Sequence, residues 1–358
     1  MNSHQDATVS EAPAANEVCS SVEAITLVIP GRNASATLRE CLEHVTAILG
    51  KDGLEEIIFV DDGSTDDTLE IAAEFPVRVV KGEARGAASA RNLGWREAKT
   101  PLIWFMDADC EADPRAVELL RAHLDEHQDA GGVGGSFTNT REHSLVACLI
   151  HEEIVQRHDR MPNEVNFLAS GNVMYRRTVL EEVDGFDETC YWAHDADLAF
   201  RVRGAGHLLR FERNSLVGHA HPTRLFSYLG KQRMQGFYRV LLYLRHPNRM
   251  AGDSYSGLTD HIQPPLAMLI LASLPLLIWP VLRWIPVVLV AMLALSQLPM
   301  TFKTVRQTRN IKYLSFGFMS FLRSFYRGIG MTQAVLTEGL RRVLRFGRKQ
   351  SSSSSANE

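Results

Sequence analysis

A short apolar run, Pro101-Leu-Ile-Trp-Phe-Met106, ends in two acids one residue apart, Asp107 and Asp109. A buried strand that ends this way puts negative charge at the carboxyl edge of a sheet, where open α/β sheets bind their ligands. Burying an unpaired charge is very costly, so the pair must be hydrated, hydrogen-bonded or neutralised by a cation. A phosphate-bearing substrate bridged through Mg2+ or Mn2+ meets that need. Asp61-Asp62-Gly63-Ser64 closes an earlier apolar run in the same manner. Taken alone this is a turn with a helix cap, but two acidic clusters at adjacent strand ends are hard to explain by packing. One carboxylate can accept hydrogen bonds from a base or sugar while another meets a metal bound to diphosphate. A third acidic stretch, His194-Asp195-Ala-Asp197, opens a helical pattern. Asp195 and Asp197 lie two positions apart on that helix and point apart, so only one of them faces a substrate.

The surrounding elements must bring these acids to one edge. Residues 24–29 read as a short strand closed by Pro30-Gly31-Arg32-Asn33, and Leu38, Leu42 and Val45 mark the helical face of 35–48. Strands are predicted at 56–60, 77–80 and 102–106, alternating with helices that reach residue 75 and span 86–97. This alternation argues for an α/β fold with a mostly parallel sheet flanked by helices on both faces. Further on, a helix runs from Asp113-Pro114 to about residue 127, a strand covers 131–137 and a helix 143–160. The tight turn Ala169-Ser170-Gly171-Asn172 then runs into a strand, followed by helices at 178–183 and 195–203 and a strand at 208–211.

The 358 residues are enough for a full core and suggest more than one domain. A net charge of −4 supplies no global basic field and argues against nucleic acid as a partner. Cys19, Cys41, Cys110, Cys148 and Cys190 are scattered without CxxC spacing, which suits free thiols in a reducing compartment and offers no zinc cluster. Residues 1–22 lack an apolar signal core and read as a disordered lead, and 350–358 as a loose, serine-rich tail.

With these elements in place, the chain resembles the family 2 glycosyltransferases, inverting enzymes of the GT-A fold that use nucleotide-sugar donors. The resemblance rests on Val28-Ile-Pro-Gly-Arg-Asn33, Ile58-Phe-Val-Asp-Asp-Gly-Ser-Thr-Asp66, Arg85-Gly-Ala-Ala-Ser-Ala-Arg-Asn-Leu-Gly94, Phe105-Met-Asp-Ala-Asp109, Gly185-Phe-Asp187 and His194-Asp-Ala-Asp-Leu198, and covers roughly 23–220. It implies that Pro30 and Asn33 lie under the nucleotide and that Asp62, supported by Asp61, contacts the base. Arg85 and Arg91 would line the donor side, Asp107 would meet the sugar or ribose, and Asp109 would coordinate the divalent metal, Mg2+ or Mn2+. Asp195 matches the expected general base. Inversion needs one carboxylate to take the proton of an acceptor hydroxyl, while the leaving diphosphate needs charge stabilisation. The family's usual Glu-Asp pair is here His194-Asp195, and a histidine does not inherit the glutamate's role. Ser170, Gly171 and Asn172 match the acceptor-side turn. His219 and His221, in Val217-Gly-His-Ala-His-Pro222, match strings that touch diphosphate or metal in membrane-linked relatives.

Composition changes after residue 263. Residues 264–300 contain one charge, Arg283, too few for half-exposed helices. They read as a transmembrane hairpin turning around 280–286, each arm near the short end for a bilayer span. Basic residues on both flanks (Arg239, Arg245 and Arg249 before; Lys303, Arg306, Arg309 and Lys312 after) place both flanks in the cytoplasm. Residues 221–263 read as amphipathic linker helices. Residues 301–349 read as basic and aromatic membrane-proximal helices, with the depth of 313–330 open and Arg341, Arg342, Arg345, Arg348 and Lys349 favouring an inside tail. The expectation is a GT-A domain with C-terminal membrane helices on the cytoplasmic face of the cell membrane. It would move a sugar from a UDP- or GDP-linked donor to a lipid, lipid carrier or saccharide. A processive polysaccharide synthase is the nearest alternative, but 231–239 lacks the Gln-x-x-Arg-Trp signature. A nucleotidyltransferase would need a glycine- and lysine-rich loop after the first strand. A non-catalytic scaffold would not need Asp62, Asp107, Asp109 and Asp195 together.

Overall fold

The computed structural model describes residues 23–250 and 252–354, with side chains described through residue 339. The N-terminal half comprises β1 (Ile25–Gly31), α1 (Leu38–Thr46), β2 (Leu54–Asp61), α2 (Thr68–Ala72), β3 (Arg78–Lys81), α3 (Ala87–Glu97) and β4 (Leu102–Met106). It continues through β5 (Cys110–Ala112), α4 (Ala116–Glu126), β6 (Ala130–Asn139), α5 (Leu145–His158), β7 (Glu164–Val165), β8 (Asn172–Arg176), α6 (Arg177–Glu182), α7 (His194–Gly204) and β9 (Leu208–His219). Five helices follow: α8 (Leu225–Arg245), α9 (Leu258–Ser273), α10 (Trp284–Leu295), α11 (Leu298–Thr308) and α12 (Ser315–Ser354).

The strands form one sheet in the order β3-β2-β1-β4-β8-β6-β9-β5, with β7 also paired to β9. Alternate residues of β1 and β4 feed two cores. Ile25, Leu27, Ile29, Trp104 and Met106 face α1 and α4, while Val28, Ile103 and Phe105 face α3 and α7.

The expectation of a mostly parallel sheet is corrected: the sheet is mixed. β1–β2, β2–β3, β1–β4 and β6–β9 pair in parallel, whereas β4–β8, β6–β8, β5–β9 and β7–β9 are antiparallel. Helical crossovers enforce parallel neighbours in the first half. In the second half the antiparallel neighbours are far apart in sequence: β6 reaches β8 through α5 and β7, and β5 and β7 both pair with the distant β9. β5 and β7 are too short to show alternation in sequence. β9 runs past its expected end at Phe211, because Gly135 pairs with Glu212 and Ser136 with Leu216, so Arg213, Asn214 and Ser215 bulge out and the ladder resumes.

In the helical half, α8 and α12 cross with their backbones in contact. A Cβ on Gly236 would lie 2.3 Å from the Arg327 carbonyl oxygen, and one on Gly330 would lie 2.0 Å from that of Arg233. Gln263 Nε2 donates to Ser296 Oγ (3.1 Å) and to Gln297 Oε1 (3.3 Å), joining the start of α9 to the end of α10, so these two run antiparallel. The stretches Leu258–Ile278 and Trp284–Thr308 are long and apolar enough to cross a membrane, and only 28% and 22% of their most apolar windows are buried. A buried helical pair in a water-soluble core would not expose Leu274, Ile278, Trp279, Trp284, Val288 and Leu295 together. The lead at 1–22 and the last residues, 355–358, lie outside the described residues, as do the side chains of Arg341, Arg342, Arg345, Arg348 and Lys349. α12 continues through Ser354, into the stretch read as a loose tail.

Candidate active site

Three parallel strands end side by side at the site. β1 ends at Pro30-Gly31, β2 at Asp61, and β4 at Met106, just before Asp107. The Asn33 backbone N–H donates to Ser64 Oγ (2.9 Å), and Asn33 Oδ1 accepts from the Thr65 N–H (2.8 Å), so the first two loops are stitched together. Asp61 is buried and accepts from the Ser64 N–H at 3.3 Å. Asp62 is also buried, and its two oxygens accept the backbone N–H groups of Arg85 (3.0 Å) and Gly86 (2.7 Å). It therefore fixes the entry of α3, and the spare lone pairs of its oxygens remain for a ligand.

Arg91, on α3, is almost wholly buried and bridges two elements. One guanidinium nitrogen bonds the Asp107 carboxylate and the other donates to His194 Nε2 at 3.0 Å. An arginine only donates, so His194 Nε2 accepts. Its proton then sits on Nδ1, 3.2 Å from the Tyr191 carbonyl oxygen. Burial, and next the neighbouring Arg91, lower the His194 pKa, in keeping with a neutral ring. His194 thus orients Arg91. Arg85 is exposed and pairs with Glu188 at 2.8 Å.

Asp195 follows directly, in the first turn of α7. Oδ1 accepts from the Ala196 N–H at 2.8 Å, and the carboxylate makes no ion pair among the described residues. It lines a cavity whose opposite wall comes from the helical half: Gln235 and Arg239 of α8, Asp260 and His261 of α9, and Arg327 of α12. Asp197 points the other way, buried between Arg201 (2.8 Å) and His246 (2.7 Å). The two acids diverge as the helical spacing requires. Sequence reasoning did not find the cavity's helical wall, because its residues are scattered over three helices more than 30 positions downstream.

Asp109 and His219 meet across the β5–β9 pairing, Asp109 Oδ1 lying 3.8 Å from His219 Nε2. Cys110 lies beside them, and the ligand atoms of all three fall within 4.8 Å of one another. Burial pushes the Cys110 thiol well up, so it stays protonated and is a poor ligand. An oxygen and an imidazole nitrogen converging at the sheet edge fit a divalent transition-metal cation such as Mn2+ better than the all-oxygen preference of Mg2+. The other cluster, Asp187, Cys190 and Asp197, is already neutralised by Arg245, Arg201 and His246. His221 lies against His219, ring centroids 4.6 Å apart and the rings tilted by 33°, and is itself buried.

The turn at 169–172 reaches the same edge. A Cβ on Gly171 would lie 3.2 Å from Asp107 Oδ2, so the backbone there runs against the acid. Ser170 is buried beside it. Asn172 does not face the site. It is fully buried, donates to the carbonyls of Ser136 (3.3 Å) and Ser215 (3.1 Å), and accepts from Trp104 Nε1 (3.1 Å), so it anchors the turn to the core.

Residues 26–184 match the model of the family described as Glycosyl transferase family 2. The α/β part of the chain has the family 2 glycosyltransferase fold. Within this fold, the chain is similar to the pre-mycofactocin glycosyltransferase of Mycobacterium tuberculosis, 30% identical over 247 residues that make up 65% of this chain and 50% of that one. It is similar at 25% over 235 residues to the poly-beta-1,6-N-acetyl-D-glucosamine synthase of Staphylococcus aureus, covering 62% of this chain and 56% of that one. The chain thus spans about half the length of these curated relatives. Among solved structures, the mannosyltransferase PcManGT from Pyrobaculum calidifontis, in complex with GDP-Man and Mn2+, superposes with a TM-score of 0.56 at 18% identity, covering 87% of both chains. That coverage exceeds the α/β part, so the likeness of fold takes in part of the helical half.

Proposed function

We propose that the chain is an inverting glycosyltransferase that moves a sugar from a nucleotide-diphosphate donor to a hydroxyl of a lipid or lipid-linked acceptor at the cytoplasmic face of a membrane. The observation that carries this reading is the link from Asp107 through Arg91 to His194, with the unpaired Asp195 next in the chain and opening onto a separate cavity. One end of that link faces the strand termini where a nucleotide would lie. The other end holds a free carboxylate beside a space shared with the helical half.

The donor lies across the ends of β1, β2 and β4, with Pro30 and Asn33 beneath it and Asp62 reading the base. Asp61 holds the Asp62 loop, and Arg85 and Arg91 border the phosphates. Asp109, with His219, would hold a divalent cation, whose charge would offset that of the leaving diphosphate. The GDP-Man and Mn2+ bound by PcManGT support a donor and ion of this class. Asp195 removes the proton of the acceptor hydroxyl as its oxygen attacks the anomeric carbon, and Arg91 keeps Asp107 beside the sugar. His194, neutral and committed to Arg91, takes no proton in this scheme.

The exposed apolar stretches Leu258–Ile278 and Trp284–Thr308 support a membrane hairpin that holds the cavity near a lipid-borne acceptor and raises its effective concentration. Arg323 and Arg327 of α12 join Glu153 of α5 and Asp260 of α9, which favours a docked cytoplasmic position for 313–330 and so an even number of spans. Purified protein incubated with native membrane lipids, Mn2+ or Mg2+ and a panel of nucleotide-sugars should release nucleoside diphosphate and yield a lipid heavier by one or more sugar residues. Diphosphate release with no glycosylated lipid would exclude the lipid acceptor. No release from any donor would exclude the activity.

A further inference from the structure

The buried charges between the sheet and the helical half do not balance. Arg157 donates to Glu153 Oε1 (2.5 Å) and to both Asp260 oxygens (2.6 and 2.8 Å), Arg323 takes the second Glu153 oxygen, and Arg327 bonds Asp260. Three guanidinium groups against two carboxylates leave a positive excess where water is scarce. Buried charge of this kind calls for a counter-ion.

Arg157 and Arg323 also line a second cavity, of about 240 Å³, between α5, α9, α11 and α12. Two further cations, Arg160 and Lys303, border it, and among the described residues no carboxylate does. Arg160 spends its Nε on the Gln156 carbonyl oxygen (3.1 Å), and among the described residues neither Arg160 nor Lys303 has an acidic partner within ion-pair distance. The acids of α5 nearest in sequence, Glu152 and Asp159, lie outside the lining. Thr259 and Gln263, also in the lining, belong to the first turns of Leu258–Ile278, and Lys303 to the last turns of Trp284–Thr308. The cavity therefore sits where both apolar stretches end on the side of the α/β half. If those stretches span a bilayer, this is the depth of the lipid phosphates. Met300 and Phe316 add apolar lining.

We infer that this cavity seats the phosphate headgroup of an anionic membrane lipid, recognised by Arg160 and Lys303. Guanidinium and ammonium groups free of acidic partners are the donors that phosphate oxygens require. The lipid is a resident one rather than the acceptor, because the acceptor hydroxyl must reach Asp195, which lines the other cavity. The inference rests on the membrane reading proposed above.

The test uses the full chain purified in detergent, as wild type and as the double variant Arg160→Gln/Lys303→Gln. Native mass spectrometry follows titration with phosphatidylglycerol, phosphatidylcholine or inorganic phosphate. The wild type should retain one phosphatidylglycerol in preference to phosphatidylcholine, and the double variant should bind it about tenfold more weakly or worse. Both proteins should stay in the membrane fraction and keep sugar transfer, since neither residue lies at the donor or at Asp195. Equal retention by the double variant overturns the inference. Protection by inorganic phosphate as strong as by the lipid at equal concentration overturns the lipid assignment. A wild-type chain recovered in the soluble fraction without detergent overturns the membrane reading and this inference with it, whereas a membrane-bound chain with unaltered lipid retention overturns the inference alone.

Discussion

At Arg91, one guanidinium holds the acid that ends β4 and the histidine that begins α7. Lysine at this position keeps the charge but cannot reach both partners. Arg91→Lys should therefore raise the donor KM and lower kcat together, which initial rates over a donor titration would read out. Asp195→Asn should leave donor binding intact and lower kcat by about 10²-fold or more, the usual contribution of a positioned base. Equal binding of nucleotide by calorimetry, with turnover lost, is the expected pair of results. His194→Gln should be milder than His194→Ala, because a glutamine oxygen can still accept from Arg91.

At the scale of elements, the helical half is held together by a crossing of α8 and α12 that tolerates no extra atom. Gly236→Val on α8 would drive a Cβ into the Arg327 carbonyl oxygen. It should cost about 1–3 kcal/mol, seen as a lowered midpoint of thermal unfolding in detergent. The strands and helices up to β4 were legible because each is a single apolar run or face bounded by turn residues. The acids that close β2 and β4 were legible for the same reason. The antiparallel second half was not, since β5 and β7 are only three and two residues long and β9 is interrupted by a bulge. Asn172 and His194 illustrate the limit at single sites. Their motif positions were visible, but only the three-dimensional partners assign one to the core and the other to Arg91. The excess positive charge around Arg157 could not be read from sequence at all, because its members lie on α5, α9 and α12 and meet only on folding.

For the whole molecule, pH acts through buried imidazoles of the α/β half. Burial, then His151, Arg213 and Arg157, hold the His158 pKa down at about 4, against its ordinary 6.5, while Nδ1 lies 2.7 Å from Ser136 Oγ. The folded pKa is the lower one, so below pH 6.5 the unfolded chain takes up a proton that the folded chain refuses. Stability should be fully present above that point and fall as pH drops, by about 3 kcal/mol at pH 4 from this group. Denaturant midpoints measured across that range would check it. Removing residues 264–300 should release the chain from the membrane fraction, and continued tight association would put the anchor elsewhere. The most direct test of the account compares wild type with Asp195→Asn in native membrane lipids, with divalent cation and a panel of nucleotide-sugars, by mass spectrometry of the lipid extract. The account predicts a lipid that gains sugar mass with the wild type and none with Asp195→Asn, although both bind donor. The same product from Asp195→Asn at an undiminished rate would contradict it.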